Sequence, residues 1–345
     1  MSTIPSGRQD INQADIDAVV AVLRSDFLTQ GPTVPAFEKA VADYCGTQHA
    51  VAVNSATSAL HISCLALDVG KGDIVWTTPN TFVASANCAL YCGATVDFVD
   101  IDPRTYNLSV ERLAEKLILA EKTGKLPKVV IPVHLCGQPC EMASIKTLSQ
   151  QYGFKIIEDA SHAIGGKYKD EPIGNGRFSD ITVFSFHPVK IITTGEGGMA
   201  LTNAPALADL MRRYSSHGIT SDASKMQPRP ADEIWNYQQI SLGFNYRMTD
   251  IHAALGVSQM TRLDEFIDKR QRIAKYYDDT LAGLQLQIPW QHPDSYSSYH
   301  LYPIRIKLGE TKQTQRQVYD ALRAAGILVN LNYIPVYRQP YYEAM

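Results

Sequence analysis

The sequence has few cysteines, no long apolar run and no excess of charge of one sign. Six cysteines among 345 residues are too few for a disulfide framework, and no run approaches the roughly 18 apolar residues of a membrane-spanning helix. The first residues contain no apolar signal core either. We therefore expect a cytoplasmic protein with no membrane partner.

Positive and negative side chains nearly balance. The 32 Lys and Arg residues against 35 Asp and Glu residues give a net charge of −3, which provides no electrostatic footprint for nucleic acid, so we expect no such partner. A hydrophobic fraction of 45% over this length suits a two-domain globular enzyme.

Two cysteine pairs raise the alternative of a metal site. Cys88 and Cys92 lie in an apolar stretch, and Cys136 and Cys140 lie close to His134. A spacing of four departs from the Cys-x-x-Cys of structural zinc sites, so buried free thiols are favoured. We predict no metal ligands.

Strand and helix patterns alternate through the first 215 residues. Predicted strands are 50–53, 73–77, 95–101, 128–133, 154–157, 180–184 and 199–202. Predicted helices are 12–24, 35–45, 56–67, 83–91, 109–122 and 141–152. This alternation predicts an α/β fold with a mostly parallel sheet, covered on both faces, that binds ligands at strand carboxyl ends.

The later part of the chain predicts a smaller α+β unit. Its elements are one or two helices in 250–284, a strand at 299–306, a helix at 313–325 and a strand at 328–333. We divide the chain into a large domain, 1–240, and a small domain, 241–345.

A single lysine, Lys190, lies in an uncharged stretch that follows a strand candidate and precedes paired glycines. The stretch reads Ser185-Phe-His-Pro-Val-Lys190-Ile-Ile-Thr-Thr-Gly-Glu-Gly-Gly198. Partial desolvation lowers the pKa of a lysine and makes it a nucleophile for aldehydes. The alternative is that Lys190 packs its stem and leaves its head in solvent. The motifs around it favour a Schiff-base lysine.

Polar groups follow two other strands. Asn54-Ser-Ala-Thr-Ser-Ala-Leu60 opens a helix whose free N–H groups can bind an anion, although an ordinary N-cap explains the motif equally well. Glu158 and Asp159 end a strand, where a carboxylate needs a cationic partner such as a protonated ring nitrogen. The alternative is that Asp159 only caps the next turn. His162 is within reach of the same ligand.

Two further residues complete the set. Phe82 lies at a strand-to-helix turn, where it either stacks on a flat ring or packs in the core. Asn245, beside Tyr246 and Arg247, indicates a contact with a phosphate or a neighbouring subunit. A reactive lysine, a strand-end aspartate, a helix N-terminus and a stacking aromatic ring are what pyridoxal phosphate requires of a protein.

The motifs resemble, in order, those of the DegT/StrS-type PLP-dependent nucleotide-sugar aminotransferases. They are Asn54-Ser-Ala-Thr-Ser-Ala-Leu60, Glu158-Asp-Ala-Ser-His-Ala163, Ser185-Phe-His-Pro-Val-Lys190, Thr194-Gly-Glu-Gly-Gly198 and Asn245-Tyr-Arg-Met-Thr-Asp250. The resemblance implies fold type I, the fold of aspartate aminotransferase, with pyridoxal 5'-phosphate as cofactor. It also implies an amino-acid donor, a nucleotide-sugar substrate and a homodimer with shared active sites.

Four shorter motifs are most similar to one branch of this family. They are Ser25-Asp-Phe-Leu-Thr-Gln-Gly-Pro32, Leu90-Tyr-Cys-Gly-Ala94, Ser216-His-Gly-Ile219 and His300-Leu-Tyr-Pro303. That branch acts on a UDP-linked 4-keto-6-deoxy-N-acetyl sugar in pseudaminic acid biosynthesis. A TDP- or GDP-linked keto sugar is the alternative substrate.

The resemblance also implies a role for each site residue. Lys190 is the Schiff-base lysine and proton carrier, and Asp159 pairs with the pyridine nitrogen. The other implied cofactor-binding residues are Ala56, Thr57, Phe82, His162, Ser185 and, from the partner subunit, Asn245. The implied nucleotide-sugar contacts are Asp26, Phe27, Leu28, Thr29, Asn330, Leu331, Asn332 and Tyr333.

The chain departs from the family pattern in three places. Ser215 replaces an expected arginine, Asn332 replaces a usual histidine, and the chain ends at Met345, so we expect an incomplete small domain. Sugar 3-dehydratases carry histidine where this chain has Lys190, which argues against them. A non-catalytic regulatory protein on the same scaffold would lack Lys190 or Asp159, and both are present.

Overall fold

A computed structural model describes residues 3–228, 230 and 233–345. The helices are α1 Gln13–Leu23, α2 Thr33–Cys45, α3 Ala56–Ala66, α4 Ala84–Tyr91, α5 Val110–Thr123, α6 Met142–Tyr152, α7 Pro205–Ser215, α8 Asp250–Met260, α9 Leu263–Leu281, α10 Gln315–Ala324 and α11 Pro340–Glu343. The longer strands are β1 His49–Val53, β2 Ile74–Thr77, β3 Thr95–Phe98, β4 Val129–Ile131, β5 Lys155–Asp159, β8 Ile181–Ser185 and β9 Gly198–Thr202. Two-residue strands are β6 Lys167–Tyr168, β7 Glu171–Pro172, β10 Ile219–Thr220, β11 Gln238–Gln239, β12 Leu286–Gln287, β13 Ser295–Tyr296 and β14 Arg305–Ile306.

The seven longer strands form one sheet in the order β1-β9-β8-β5-β4-β2-β3. Strands β3, β2, β4, β5 and β8 are parallel neighbours, whereas β9 is antiparallel to both β1 and β8. The predicted α/β fold with a mostly parallel sheet is therefore confirmed. Strands β4, β8 and β9 are buried along their whole length, which explains why their sequences are mostly apolar rather than alternating.

Successive residues of each strand point to opposite faces of the sheet. In β5, Ile157 packs in a core with α3, α4 and α7, whereas Ile156 packs in a second core with α5 and α6. A third core joins β1 and β9 to α2, α8 and α9. The same alternation directs the two carboxylates at the end of β5, Glu158 and Asp159, to opposite sides of the sheet.

The later part of the chain forms much less regular structure than predicted. The region 250–284 contains two helices, α8 and α9, and α10 is present as predicted. The predicted strand at 299–306 is wrong except for β14, because the backbone of 298 and 301 bonds to the turn at 136–137 instead. The predicted strand at 328–333 is also wrong, since this segment bonds to the N-terminal segment and to side chains.

The division of the chain at residues 240 and 241 stays a prediction. Across the described ranges, no helix has both the length and the apolar character needed to cross a membrane. All six cysteines are free thiols, and five of them are buried. In the same ranges, no group of three or more His, Cys, Asp or Glu side chains is arranged to hold a metal ion.

Candidate active site

Two neighbouring parallel strands end at the same edge of the sheet and bring the main candidates together. Asp159 is the last residue of β5 and Ser185 is the last residue of β8. Asp159 pairs with Val183, so Ser185 lies only two residues beyond the position opposite Asp159. The polypeptide then turns beyond β8 and carries Lys190 over this edge. Ligand sites at strand carboxyl ends are the rule in such sheets.

Asp159 is buried, with 5% of its surface exposed, and two serines fix its orientation. The Ser85 hydroxyl donates to Oδ2 at 2.6 Å, and the Ser161 hydroxyl donates to Oδ1 at 2.6 Å. The backbone N–H of Ser161 also donates to Oδ1 at 3.1 Å. Asp159 therefore caps the following turn, as the alternative interpretation predicts. Its other oxygen is turned towards α4, and its charge acts on Lys190.

Lys190 is a partly buried amine. Burial lowers the pKa of Lys190 to about 8, while the charges of Asp159 and Cys136 act in the opposite direction. Its backbone N–H donates to the carbonyl of His187 at 2.9 Å, which stabilises the turn that carries it. With this pKa, about a tenth of the amine is uncharged at pH 7, far more than for an ordinary lysine, and this fraction is available as a nucleophile or base.

The N-terminus of α3 lies directly against the start of β9. Ser55 caps the helix by accepting the N–H of Ser58 at 3.1 Å, so the ordinary N-cap is present. A Cβ placed on Gly198 would lie 2.4 Å from the backbone nitrogen of Ala56, which shows how close the two backbones are. Gly198 pairs with Ser185, so the Ser185 end of β8 lies beside the first turn of α3. This arrangement is suited to an anion.

His162 joins the cluster through its backbone neighbours and an aromatic partner. Its Nδ1 accepts the N–H of Cys136 at 3.2 Å, and its Nε2 lies 3.4 Å from the hydroxyl of Tyr333. Burial, assisted by the charge of Lys190, lowers the pKa of His162 well below its usual range. His162 is therefore neutral, with its proton on Nε2. Burial also raises the pKa of Tyr333 to about 12, so the phenol is protonated.

Phe82 lies at the approach to the same cluster. Its side chain is 57% exposed, which excludes the alternative that it packs in the core. Its ring centroid lies 6.3 Å from that of Tyr333, and Tyr333 is tied to the same loop because its N–H donates to Asn80 Oδ1 at 3.0 Å. Phe82 and Tyr333 thus form an aromatic pair beside His162.

The remaining predicted residues lie further from this cluster. Residues 26–29 are exposed, and their described contacts run to the start of α8 through the Asp250 N–H and Leu28 carbonyl. Asn330 donates to the Ser6 hydroxyl at 3.1 Å, and Leu331 is exposed. Asn245 is exposed, forms an isolated bridge with Ser216, and its backbone carbonyl accepts the Asn54 amide at 3.4 Å.

Sequence analysis missed several residues that shape the site. Ser85 and Ser161 orient Asp159, and Cys136 supplies the N–H that fixes the His162 tautomer. His300, whose ring centroid lies 4.4 Å from that of His162, is buried beside it. Ser161 lies only two residues after Asp159, so the sequence could have indicated its role. Ser85 lies 74 residues from Asp159, and no local pattern distinguishes it from other helix serines.

These residues fit pyridoxal phosphate. The close approach of Gly198 leaves a backbone cradle at the α3 N-terminus that suits a phosphate, and Asp159 offers a buried anion for a protonated ring nitrogen. Lys190 offers an amine that burial has made less basic. Phe82 presents an exposed aromatic face for a planar ring.

Comparison with known proteins agrees with this geometry. The family model described as the DegT/DnrJ/EryC1/StrS aminotransferase family matches residues 9–345. Over 343 residues the chain is 37% identical to the UDP-4-amino-4,6-dideoxy-N-acetyl-beta-L-altrosamine transaminase of Campylobacter jejuni, covering 99% of this chain and 86% of that protein. Over 342 residues it is 36% identical to the GDP-perosamine synthase of Caulobacter vibrioides, with the same coverage of 99% and 86%.

Solved structures give the same assignment. Helicobacter pylori PseC, an aminotransferase involved in the biosynthesis of pseudaminic acid, superimposes with a TM-score of 0.89 at 31% identity, covering 100% of this chain and 88% of that one. Spr1654 of Streptococcus pneumoniae, named as a sugar aminotransferase and solved in its PLP form, gives 0.86 at 30% identity, with 99% and 88% covered. The chain belongs to the DegT/DnrJ/EryC1/StrS aminotransferase family. It is a PLP-dependent sugar aminotransferase of fold type I.

Proposed function

We propose that this protein transfers the amino group of L-glutamate to C4 of a UDP-linked 4-keto-6-deoxy-N-acetyl-hexose in a two-stage cycle. The observation that carries the proposal is Lys190, an amine whose pKa burial lowers to about 8 against the opposing charge of Asp159. Pyridoxal phosphate, when bound, supplies an aldehyde that accepts the amino group and a ring that withdraws electrons from the substrate carbon.

Lys190 is the proton carrier. With the cofactor bound, its Nζ would take the α-proton of the donor in the first stage and would deliver a proton to C4 of the sugar in the second. Because burial disfavours the charged amine, Nζ acts as a base near neutral pH. Asp159, oriented by Ser85 and Ser161, supplies the anion for the ring nitrogen.

Five other residues hold the cofactor in this proposal. The backbone N–H groups of Ala56 and Thr57 at the α3 N-terminus and the hydroxyl of Ser185 bind the phosphate. His162, neutral and with its proton on Nε2, donates towards the ring hydroxyl. Phe82 covers one face of the ring and excludes water from it.

Two exposed segments bind the nucleotide-sugar in this proposal, Asp26–Thr29 and Asn330–Tyr333. Tyr333 connects the second segment to the proposed cofactor-binding residues, because its hydroxyl lies 3.4 Å from His162 Nε2. Asn332 replaces the usual histidine of the family, so a hydrogen bond from an amide takes the place of one from an imidazole. This change alters substrate contacts while leaving the position of Lys190 untouched.

We also propose a cytoplasmic homodimer in which Asn245 completes the phosphate site of the partner subunit. Asn245 is exposed, and the segment before it presents large apolar side chains to solvent: Ile234 is 89% exposed, Trp235 75% and Leu242 77%. An apolar surface of this kind marks an interface. A fully active monomer in light scattering would contradict this part of the proposal.

The nucleotide is the least constrained element of the proposal. Relatives of nearly equal identity carry names with a UDP-linked and a GDP-linked sugar. The four short motifs that resemble the pseudaminic acid branch favour UDP. A GDP-linked 4-keto-6-deoxy sugar is therefore the second candidate.

The deciding experiment follows the cofactor absorption of the purified holoenzyme. Glutamate alone should convert the aldehyde form to the amine form, and only the correct 4-keto sugar should reverse the change. UDP-, TDP- and GDP-linked 4-keto sugars form the panel, and Lys190→Ala is the control that should stay unchanged with every member. A protein that binds no cofactor, or that stays unconverted with glutamate and all sugars, would refute the proposal.

A further inference from the structure

Asp250, the first residue of α8, is a buried carboxylate that the mechanism proposed above does not use. None of its surface is exposed. Its Oδ2 accepts the N–H of Gly31 at 2.5 Å, and its Oδ1 accepts the N–H of Val34 at 2.8 Å. Its own N–H donates to the carbonyl of Leu28 at 3.0 Å. Because a buried carboxylate is costly unless hydrogen bonds offset its desolvation, both oxygens are committed to the segment that leads into α2.

The same carboxylate caps α2 from a distant part of the chain. This helix begins at Thr33, after Pro32, whose side chain has no group that accepts a hydrogen bond. Val34 lies in the first turn, where N–H groups have no partner within the helix. Asp250 takes the place of an N-cap side chain there. It also lies in the first turn of α8, so the dipoles of both helices favour its negative charge.

The segment in front of α2 is fastened to the start of α8. Residues 26–29 are exposed, and Thr29 pairs with Thr249 in an isolated bridge. A Cβ placed on Gly31 would lie 2.6 Å from Asp250 Oδ2, which shows that the turn fits closely around the carboxylate. The backbone bridge and the carboxylate together fix the exposed segment against α8.

The start of α8 also packs against the loop that follows Lys190. A Cβ placed on Gly197 would lie 2.6 Å from Met248 Cε. Ile191, next to Lys190 in the chain, packs in the same buried core as Met248. Met248 is only two residues before Asp250. One short segment therefore joins the loop that carries Lys190 to the exposed residues 26–29.

We propose that Asp250 is a positioning residue for the sugar substrate, because its carboxylate holds residues 26–29 in place relative to Lys190. This inference rests on the proposed function, in which residues 26–29 bind the nucleotide-sugar. Asp250 acts through that segment, so it affects how well the sugar binds rather than how Lys190 moves a proton. Glutamate has no nucleotide to contact the segment, so the first stage of the reaction should not depend on Asp250.

Asp250→Asn tests this role because it keeps the shape of the side chain. One oxygen becomes an NH2 group, which cannot accept, so the N–H of Gly31 or of Val34 loses its acceptor. The loosened segment has to be ordered again when the sugar binds, and KM for the keto sugar should rise about tenfold. The value of kcat, and the rate of cofactor conversion by glutamate alone, should stay within about twofold of the wild type.

Asp15→Asn is the matched control, because Asp15 packs against the other end of α8. Asp15 is equally buried, and its side chain accepts hydrogen bonds from Ser258 and Gln259. This variant should lower thermal stability, as Asp250→Asn should, but it should leave KM for the sugar unchanged. An unchanged KM in Asp250→Asn, or an equal rise of KM in both variants, would overturn the proposal.

Hydrogen exchange gives a second measurement that needs no substrate. In Asp250→Asn holoenzyme, a peptide covering residues 27–34 should exchange at least about tenfold faster than in the wild type, whereas a peptide from α5 should be unchanged. If glutamate fails to convert the wild-type cofactor, the proposed function is wrong, and exchange still decides whether Asp250 holds the segment. Unchanged exchange at 27–34 in a protein whose wild type is active would overturn this inference alone.

Discussion

The two parts of this molecule differ in how firmly the sequence determines their structure. In the first part, strands predicted from short apolar runs are present within a few residues of their predicted ends, and the site lies at their carboxyl edge. In the last 60 residues, two predicted strands are absent or reduced to β14. The difference teaches that an apolar alternating run becomes a strand only where neighbouring strands accept its hydrogen bonds.

Within the candidate active site, the sheet and the C-terminal region also differ in how firmly they hold their residues. The sheet edge contributes Asp159, which is buried and multiply hydrogen-bonded, and the partly buried Lys190, whereas the C-terminal region contributes Tyr333 through one long hydrogen bond. We therefore expect substitutions at the sheet edge to have large effects on turnover and those in the C-terminal region to have small ones. The following predictions test this ranking, beginning with the largest effect.

Lys190→Ala should reduce turnover at least ~10³-fold, because it removes both the covalent attachment and the proton carrier. Steady-state assays with glutamate and the keto sugar measure the effect. The exposed lysine variant Lys71→Ala should retain wild-type activity. Comparable losses in both variants would show that Lys190 has no special role.

Asp159→Asn should lower kcat about 10²-fold, because a neutral amide cannot stabilise positive charge on the ring nitrogen. Circular dichroism should show an unchanged fold, since the amide retains the shape of the side chain. Near-normal kcat would exclude the assigned role of Asp159.

Glu158→Gln, on the opposite face of the same strand, should affect stability rather than kcat. Burial alone raises the pKa of Glu158, but hydrogen bonds from His134, Ser179 and Thr182 outweigh it and lower the pKa. A lowered folded-state pKa stabilises the protein above the unfolded value of 4.5, and this contribution is lost as the pH falls through the folded-state pKa. Urea unfolding at pH 7 should show a loss of about 2 kcal/mol.

The pH dependence of the free energy of unfolding tests whether Glu158 is ionised in the folded protein. As the pH falls below 4.5 and through the folded-state pKa of Glu158, the free energy of unfolding of the wild type should fall more steeply than that of Glu158→Gln. If the two curves run parallel, Glu158 is not ionised in the folded protein.

Gly198→Ala should weaken cofactor binding about tenfold, because the new Cβ would lie 2.4 Å from the Ala56 nitrogen and force the cradle apart. Equilibrium dialysis with pyridoxal phosphate measures the change. The matched control Gly70→Ala has no heavy atom within 4 Å of the new Cβ and should bind normally. Equal affinity in both variants would argue against a phosphate site at α3.

Tyr333→Phe should have the smallest effect, a fall of about threefold in kcat, because the lost hydrogen bond is long and joins two neutral groups. KM for the sugar should rise by a similar factor if the segment contacts substrate. A loss as large as that of Lys190→Ala would overturn the ranking of the two regions.

The sequence by itself determined the α/β class and the approximate strand positions, and it predicted Lys190 as the reactive lysine, because each depends on local properties: apolar runs, glycines and the absence of charge around Lys190. It also allowed the family to be identified from ordered motifs. Tertiary structure alone decided which groups surround those residues. Ser85 meets Asp159 across 74 positions, since packing of distant elements leaves no periodic or local signal. The absent C-terminal strands have the same cause, because pairing depends on a neighbour that local sequence does not specify.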